Sequence, residues 1–489
     1  MAYDVVIIGA GLGGLECGLL LSKAGKRVVV LEQGAKVGGC IQSYDRRGYT
    51  FDTGFHYVGG IGEGQTLYDA FRIFGLLDLP WQRLDDEGDI LSIEGQRFAL
   101  PQGYDNYRRV LTDYFPRERD GICRYVDMLR HCGEHQLDVL IDAYSSSNLA
   151  EVNAYQYLKE VLCDDLLVDV VSGTALKMEL RKSSLPLFTF AHVNGGYVES
   201  CWRLNGNGQI VADTLLNGIT TNGGEVVCRK RVNELVEQDG KMVAAICADG
   251  DRYEGDTFIS DVHPALTCGM LKRSARMRSS YRNRITRLDN TRGMFTASLV
   301  LKPDAAPYFN SNYYVYSHND VWAAHENNNP VSCVMVSCEP KATAERNTRI
   351  DLLTPMPFEE CDPWSSTTVG RRGVEYMEMK KRKAMECIAL AESFVPGLSD
   401  MVEECYTSTP LTWRDYTIAP NGTAYGVRKD YADPLSTMLS VKTPIPNLLL
   451  TGQSIIVHGL HGVTMAALLT CAHLLGREYI IRQLNNNSK

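Results

Sequence analysis

Hydrophobic positions first gather in an unbroken run of strand length, "DVVII" at residues 4–8, closed by "GAGLGG" at 9–14. A helical stretch follows to Ala24, Gly25 stops it, and a second apolar run, "RVVVL", leads to Glu32. Apolar runs of this length predict strands, and a strand, turn, helix and strand within about thirty residues is the βαβ unit that forces parallel pairing. From about residue 76 to 190 the pattern turns helical, as in "YDNYRRVLTDYF" and "DGICRYVDMLRHCG". Residues 206–261 predict one helix and then short strands, separated at "NGG", "QDGK" and "DGD". Beyond 290, strand-like runs ("MFTASLVL", "NYYVY", "SCVMVSC") alternate with helices; "PNLLLTG" at 446–452 reads as a buried strand and "VTMAALLTCAHLLGREYII" as one helix. The tail "NNNSK" is expected to be disordered.

A chain of 489 residues, 44% hydrophobic, is long enough for two or three compact units. A formal charge of −9 disfavours nucleic acid as a partner, since phosphate binding calls for a basic face. One stretch resists that average. "KRSARMRSSYRNRITR", residues 272–287, holds seven basic and no acidic residues, and reads either as a solvated face or as a patch for anionic head groups or a cofactor phosphate. Fifteen cysteines without a CxxC pair read as reduced thiols of a cytoplasmic protein. No metal is expected: His458 with His461, and Cys333 with Cys338, lack the further ligands a zinc site needs. The start runs straight into a strand, without a charged leader, and no run of about twenty apolar residues occurs, so a cytoplasmic protein with at most peripheral membrane contact is expected.

The glycines have separate tasks. Gly9 makes a tight turn, Gly11 admits backbone to a pyrophosphate, and Gly14 lets helix pack on strand, while the helix that starts there aims its unpaired N–H groups at the phosphates. Glu32, 18 residues after Gly14, stands where a carboxylate accepts both hydroxyls of an adenosine ribose. A second pair, Gly38 and Gly39, is more than a simple nicotinamide fold needs, and a late strand, "NLLLTGQ", runs into a helix at about Gly462. A helix start so placed can receive the far end of an extended FAD, which favours FAD over NAD as the bound cofactor. With no second GxGxxG in the chain, NAD(P)H is expected only as a transient electron donor.

Together "GAGLGG", "LEQGAKVGG", "GGEVVCRKRVNELV", "GDTFISD" and "LLLTGQ" resemble the FAD-dependent amine oxidase and carotenoid desaturase superfamily. Within it, "YTFDTGFHYVGG", "NYYVY", "STPLTWRDYTIAPNGTAYG" and "PIPNLLLTGQSIIVHGLHG" look like the carotenoid isomerase and retinol saturase branch. The likeness implies an α/β fold: a Rossmann-like, glutathione reductase-type FAD-binding domain from 1–75, 190–270 and 445–489, with a discontinuous α+β substrate domain from 76–189 and 271–444. It also implies that the Val232 backbone meets adenine, and that Gly452 and Gln453 lie at the pyrophosphate and ribityl end. Many superfamily members have arginine after the glycine pair; Cys40 stands here, which speaks against amine oxidation.

The implied reaction saturates a C=C bond of a lipophilic conjugated polyene or retinoid. Such a bond lacks an adjoining carbonyl, so an acid must deliver a proton with the hydride. His56 is the expected proton donor or substrate positioner, with a hydrogen-bonded core histidine as the alternative. Tyr425 is a second candidate acid or a packing tyrosine, and His458 and His461 either stabilise reduced flavin or cap the last helix. Desaturation and cis–trans isomerisation suit the same fold. A non-catalytic, flavin-containing isoprenoid carrier is the alternative of another class.

Overall fold

The computed structural model describes residues 2–134, 147–339 and 345–485. Strand β1 (Tyr3–Ile8), helix α1 (Leu12–Lys23) and strand β2 (Val28–Leu31) form the expected opening unit. Strand β3 (Arg252–Ser260), strand β4 (Leu448–Leu450) and helix α2 (Gly459–Leu475) complete the arrangement around it. All four residues of β2 and the last four of β1's six are buried, as a parallel sheet covered on both faces requires. The sheet runs Glu225–Val227, β2, β1, β3, then the antiparallel strands Lys241–Cys247 and Val232–Gln238, with β4 beside the second half of β3.

The parallel register matters most. Ile8 pairs with Leu31 and with Ser260, and Ser260 with Leu450. Three distant parts of the chain therefore end their strands at one level, and the residues that follow (Gly9, Glu32, Asp261 and Thr451) share the carboxyl edge, where open α/β sheets hold their ligands.

A second sheet is mostly antiparallel and runs Val402–Ser408, Gly293–Leu301, Arg349–Met356, Cys333–Cys338, Asn312–Tyr316, Asp89–Ile93 and Gln96–Leu100. All nine residues of Gly293–Leu301 are buried, and helix Val374–Ala391 packs against this sheet. Helices between residues 104 and 199 form a further apolar core, in which Leu129, Leu158, Phe190 and Trp322 are buried.

Two sequence expectations need correction. The stretch 76–190 is not helical from its start: Trp81–Arg83, Asp89–Ile93 and Gln96–Leu100 are strands, the last two joined by a tight turn in which Glu94 (φ 49°) and Gly95 (φ 83°) both lie in the left-handed region. The C-terminal helix is not continuous either. It begins at Gly459 and ends at Leu475, Gly476 (φ 89°) breaks it, and a second helix runs Arg477–Asn485. Of the tail expected to be disordered, Asn485 ends that helix and the rest lies outside the described residues.

Candidate functional site

Gly9 has a φ of 98°, and its N–H donates to the Leu31 carbonyl at 2.8 Å, locking β1 to the end of β2. A Cβ on Gly14 would stand 2.1 Å from the Gly9 carbonyl oxygen, so only glycine lets α1 approach this closely. The first turn of α1 has no cap from its own N-cap side chain and no acidic residue of its own, so its N–H groups face outward toward whatever anion is brought to them. Gly38 (φ 117°) donates to the Ala10 carbonyl at 2.7 Å, and a Cβ on Gly39 would stand 3.2 Å from the Gly11 Cα. The second glycine pair thus lies directly against the first turn.

Glu32 is anchored on both oxygens: Oε2 accepts from the Ala10 N–H at 3.0 Å and Oε1 from the Gly34 N–H at 2.6 Å. Its carboxylate therefore faces the cleft in one orientation. Beside it the chain crosses at Arg229–Lys230, whose N–H groups donate to Gly34 and Glu32 carbonyls, and brings Val232 into the cleft wall. On the opposite side, Gly452 (φ 92°) and Gln453 follow β4 into the wall. Gly462 itself does not line the cleft; a Cβ there would meet the Val457 carbonyl carbon at 2.3 Å, so its smallness seats α2 against the preceding loop. Glu16 and Thr464, fully buried and bonded at 2.7 Å, fasten α1 to α2.

Sequence reading missed Asp261. Its carboxyl reaches into the glycine turn, accepts from the Gly14 and Gly11 N–H groups, and leaves Oδ1 only 2.6 Å from where a Gly452 Cβ would be. Burial pushes this group up to about 7 and nearby Glu32 adds to the rise, against the pull of the two N–H donors. The available signal was its place one residue beyond a buried parallel strand.

These parts enclose one cleft of about 560 Å³ that continues past the glycines into an apolar chamber lined by Met294, Met335, Leu353, Trp413 and Ala424. His56 and Tyr57 both border it. Burial lowers the His56 pKa, and its Nε2 has no hydrogen-bond partner among the described residues. The Tyr57 hydroxyl is engaged by that of Tyr314 at 2.5 Å. Tyr425 also lines the chamber, but donates to the Leu176 carbonyl at 2.7 Å, and its ring lies 4.5 Å from that of His458. His461 is not part of the lining: its ring centroid is 6.2 Å from that of His192, and burial holds it down to about 4. His458 is likewise held to about 4, and Cys40 is pushed up to about 12, so its thiol keeps its proton. Lys177, also unforeseen, borders the same chamber. Among the described residues no cluster of three or more His, Cys, Asp or Glu is placed to hold a metal.

The donor set suits a dinucleotide: the N–H groups of a helix start for phosphate, shared with Asp261, an anchored carboxylate for ribose hydroxyls, and glycines whose missing Cβ atoms clear the approach. Residues 7–74 match the NAD(P)-binding Rossmann-like domain family. The chain is 26% identical to the all-trans-retinol 13,14-reductase of Rattus norvegicus, over 97% of this chain and 86% of that one. It is 23% identical to prolycopene isomerase 1 of an Oncidium hybrid cultivar, over 97% and 84%. A solved structure of putrescine oxidase bound to putrescine superposes with a TM-score of 0.67 at 16% identity, covering 97% of this chain and 99% of that one, and so shares the fold. The chain is thus a homologue of the all-trans-retinol 13,14-reductases and prolycopene isomerases, built on the fold of the amine oxidase-like oxidoreductases.

Proposed function

We propose that this protein is an FAD-dependent oxidoreductase that saturates a C=C bond of a lipophilic conjugated polyene or retinoid. The carrying observation is continuity: one cleft joins the glycine turn and Glu32 to an apolar chamber, in a chain whose relatives are named as retinol reductases over nearly its full length. Gly9, Gly11 and Gly14 admit the pyrophosphate, Glu32 holds the adenosine ribose, Val232 meets adenine, and Gly38, Gly39, Gly452 and Gln453 surround the remainder, with Gly462 seating α2. The stretches 1–75, 190–270 and 445–489 form the cofactor-holding part, and 76–189 with 271–444 the part above it.

When bound, a flavin exchanges a hydride with a substrate carbon. The protein must orient the polyene, exclude water and place a proton. Met294, Met335 and Leu353 supply the greasy wall. His56 borders the chamber and donates the proton or positions the chain. Tyr425 is the second acid only when its hydroxyl exchanges the Leu176 carbonyl for the substrate, and His461 acts from behind the lining. NAD(P)H serves as the transient reductant.

Anaerobic mixing of NADPH-reduced or dithionite-reduced protein with a panel of polyenes tests the reading. A product two hydrogens heavier supports saturation, one two hydrogens lighter with oxidised protein supports desaturation, and no change supports a carrier. Equal mass with a changed spectrum supports isomerisation, the second reading, which the prolycopene isomerase relatives favour. The protein is further proposed to work in the cytoplasm, touching membranes through the basic stretch 272–287. In that stretch Arg273, Arg276 and Arg278 are exposed, Lys272 is exposed but paired with Glu234, and half-buried Arg282 is taken up by carbonyls of Cys268, Leu271 and Met277. Failure to float with anionic liposomes would remove that contact.

A further inference from the structure

A short helical turn, Ala175–Lys177, runs along the chamber. Its backbone is pinned: the Leu176 carbonyl accepts from Tyr425, and the Lys177 carbonyl lies 3.2 Å from the His458 Nε2. The Lys177 ammonium stands 4.1 Å from the centroid of the Tyr197 ring. Behind these two residues is a second, water-sized cavity of about 20 Å³, lined also by Asp89, Gln102 and Asn194. Lys177 and Tyr197 are the residues common to both linings, so together they form the partition between a greasy chamber and a small polar hole.

The charge in that partition is poorly answered. Among the described residues the Lys177 ammonium makes no hydrogen bond and has no carboxylate within 4 Å. Asp89, on the far side, is the anion that acts on it, but Asp89 already accepts from the Asn312 amide at 3.0 Å. Burial also raises the Asp89 pKa, favouring its neutral form, and lowers that of Lys177. Of the other basic residues along the cleft, Lys230 and Arg231 adjoin Val232, away from the chamber, and Lys230 is paired with Asp249 and Asp251. The Tyr57 and Tyr425 hydroxyls are spent on Tyr314 and Leu176. An ammonium set in the wall of an apolar chamber, with no carboxylate in contact, is costly until an anion meets it.

We infer that Lys177, held over the Tyr197 ring, receives the anionic head group of the substrate, and that the preferred polyene is a carboxylic acid rather than the alcohol named in the relatives. This rests on the polyene reading above and narrows it. A carboxylate seated there takes a charge-assisted hydrogen bond from the ammonium while its hydrocarbon chain stays in the apolar chamber. An alcohol of the same chain leaves the charge unanswered.

All-trans-retinoic acid and all-trans-retinol share a hydrocarbon skeleton and differ at the head. Titrated separately into the flavin-loaded, oxidised protein and followed by tryptophan quenching, the acid is expected to bind about tenfold or more tightly than the alcohol. Lys177→Met should erase that preference while changing alcohol affinity by no more than about threefold, and Lys177→Arg should keep most of it. Equal affinity in the unaltered protein, or a preference that survives Lys177→Met, overturns the inference; the first comparison needs no variant to fold. If neither retinoid binds, the polyene reading fails on its own account. A saturated fatty acid against its alcohol, run in parallel, then decides the head group alone: preference for the acid supports Lys177, and none overturns it.

Discussion

Asp261 puts a carboxyl group among the very N–H donors that cofactor phosphates need. Held up to about 7 by burial, it is roughly half protonated in the free protein at neutral pH. A pyrophosphate seated beside it raises it further, so cofactor binding takes up a proton. The sign follows: FAD affinity is greatest below pH 7 and falls as pH rises above it, by up to about tenfold per unit. Calorimetric titration of apoprotein with FAD from about pH 6 to 9 should show that slope, and Asp261→Asn should flatten it; a slope unchanged in the variant assigns the proton elsewhere. Glu32→Ala removes charge-assisted ribose bonds and should cost about 1–3 kcal/mol of FAD affinity; full flavin occupancy on purification would speak against its role. His56 differs from both. Burial lowers its pKa, so it is neutral at pH 7 and can hand on a proton only from an imidazole N–H. His56→Phe is therefore expected to retain flavin and to slow turnover about a hundredfold, whereas an unchanged rate makes it a packing residue. Of these three residues, Glu32 and His56 drew attention in the sequence because each sits in a recognisable stretch, and both line the cleft. Asp261 did not: its meaning depends on β3 lying beside β1 in a register that brings residue 261 to the glycine turn, and no local pattern states that register.

Among the elements, the βαβ unit was the most readable because every constraint on it is local: apolar runs, a glycine turn, a stop at Gly25. Helix α1 begins where Gly14 and Gly9 touch, and a methyl group there has nowhere to go. Gly14→Ala should separate α1 from β1, cost about 1–3 kcal/mol of stability and yield protein with little flavin; a variant melting normally and fully yellow would show that the turn has slack. The hairpin at residues 89–100 was hidden for a different reason. "DILSIEGQRFAL" precedes a strongly amphipathic helical stretch, and its turn rests on Glu94 accepting a left-handed conformation that glutamate seldom takes, so the Glu-Gly pair gave a weak signal. Gly476 was the opposite case: a visible helix stop, overridden in the reading by the apolar residues on both sides of it.

At the scale of the whole molecule, the cleft exists only because residues from three distant stretches of the polypeptide meet. Gly9 and Glu32 come from the first forty residues, Val232 and Asp261 from the middle, and Gly452 from the last forty. The late strand "NLLLTGQ" made this convergence readable, whereas the pairing of Lys177 with Tyr197 was not, since these residues meet only through helix packing far from any motif. A ligand that touches all three segments binds the folded state and none of the unfolded ones, so it acts as a staple. FAD at about a hundred times its dissociation constant should add about 2.7 kcal/mol to the stability of the apoprotein. The expected result in a melting experiment is a single transition that moves upward with each FAD addition, because the sheet cannot lose β4 without also losing the carboxyl edge that β1 and β3 share with it. If instead one transition moves and a second stays fixed, the cofactor-holding part melts by itself, and the second sheet is stable without it. Removing residues 446–489 separates these outcomes further: a chain lacking β4 and α2 should be unable to hold flavin at any concentration, even where the second sheet still folds.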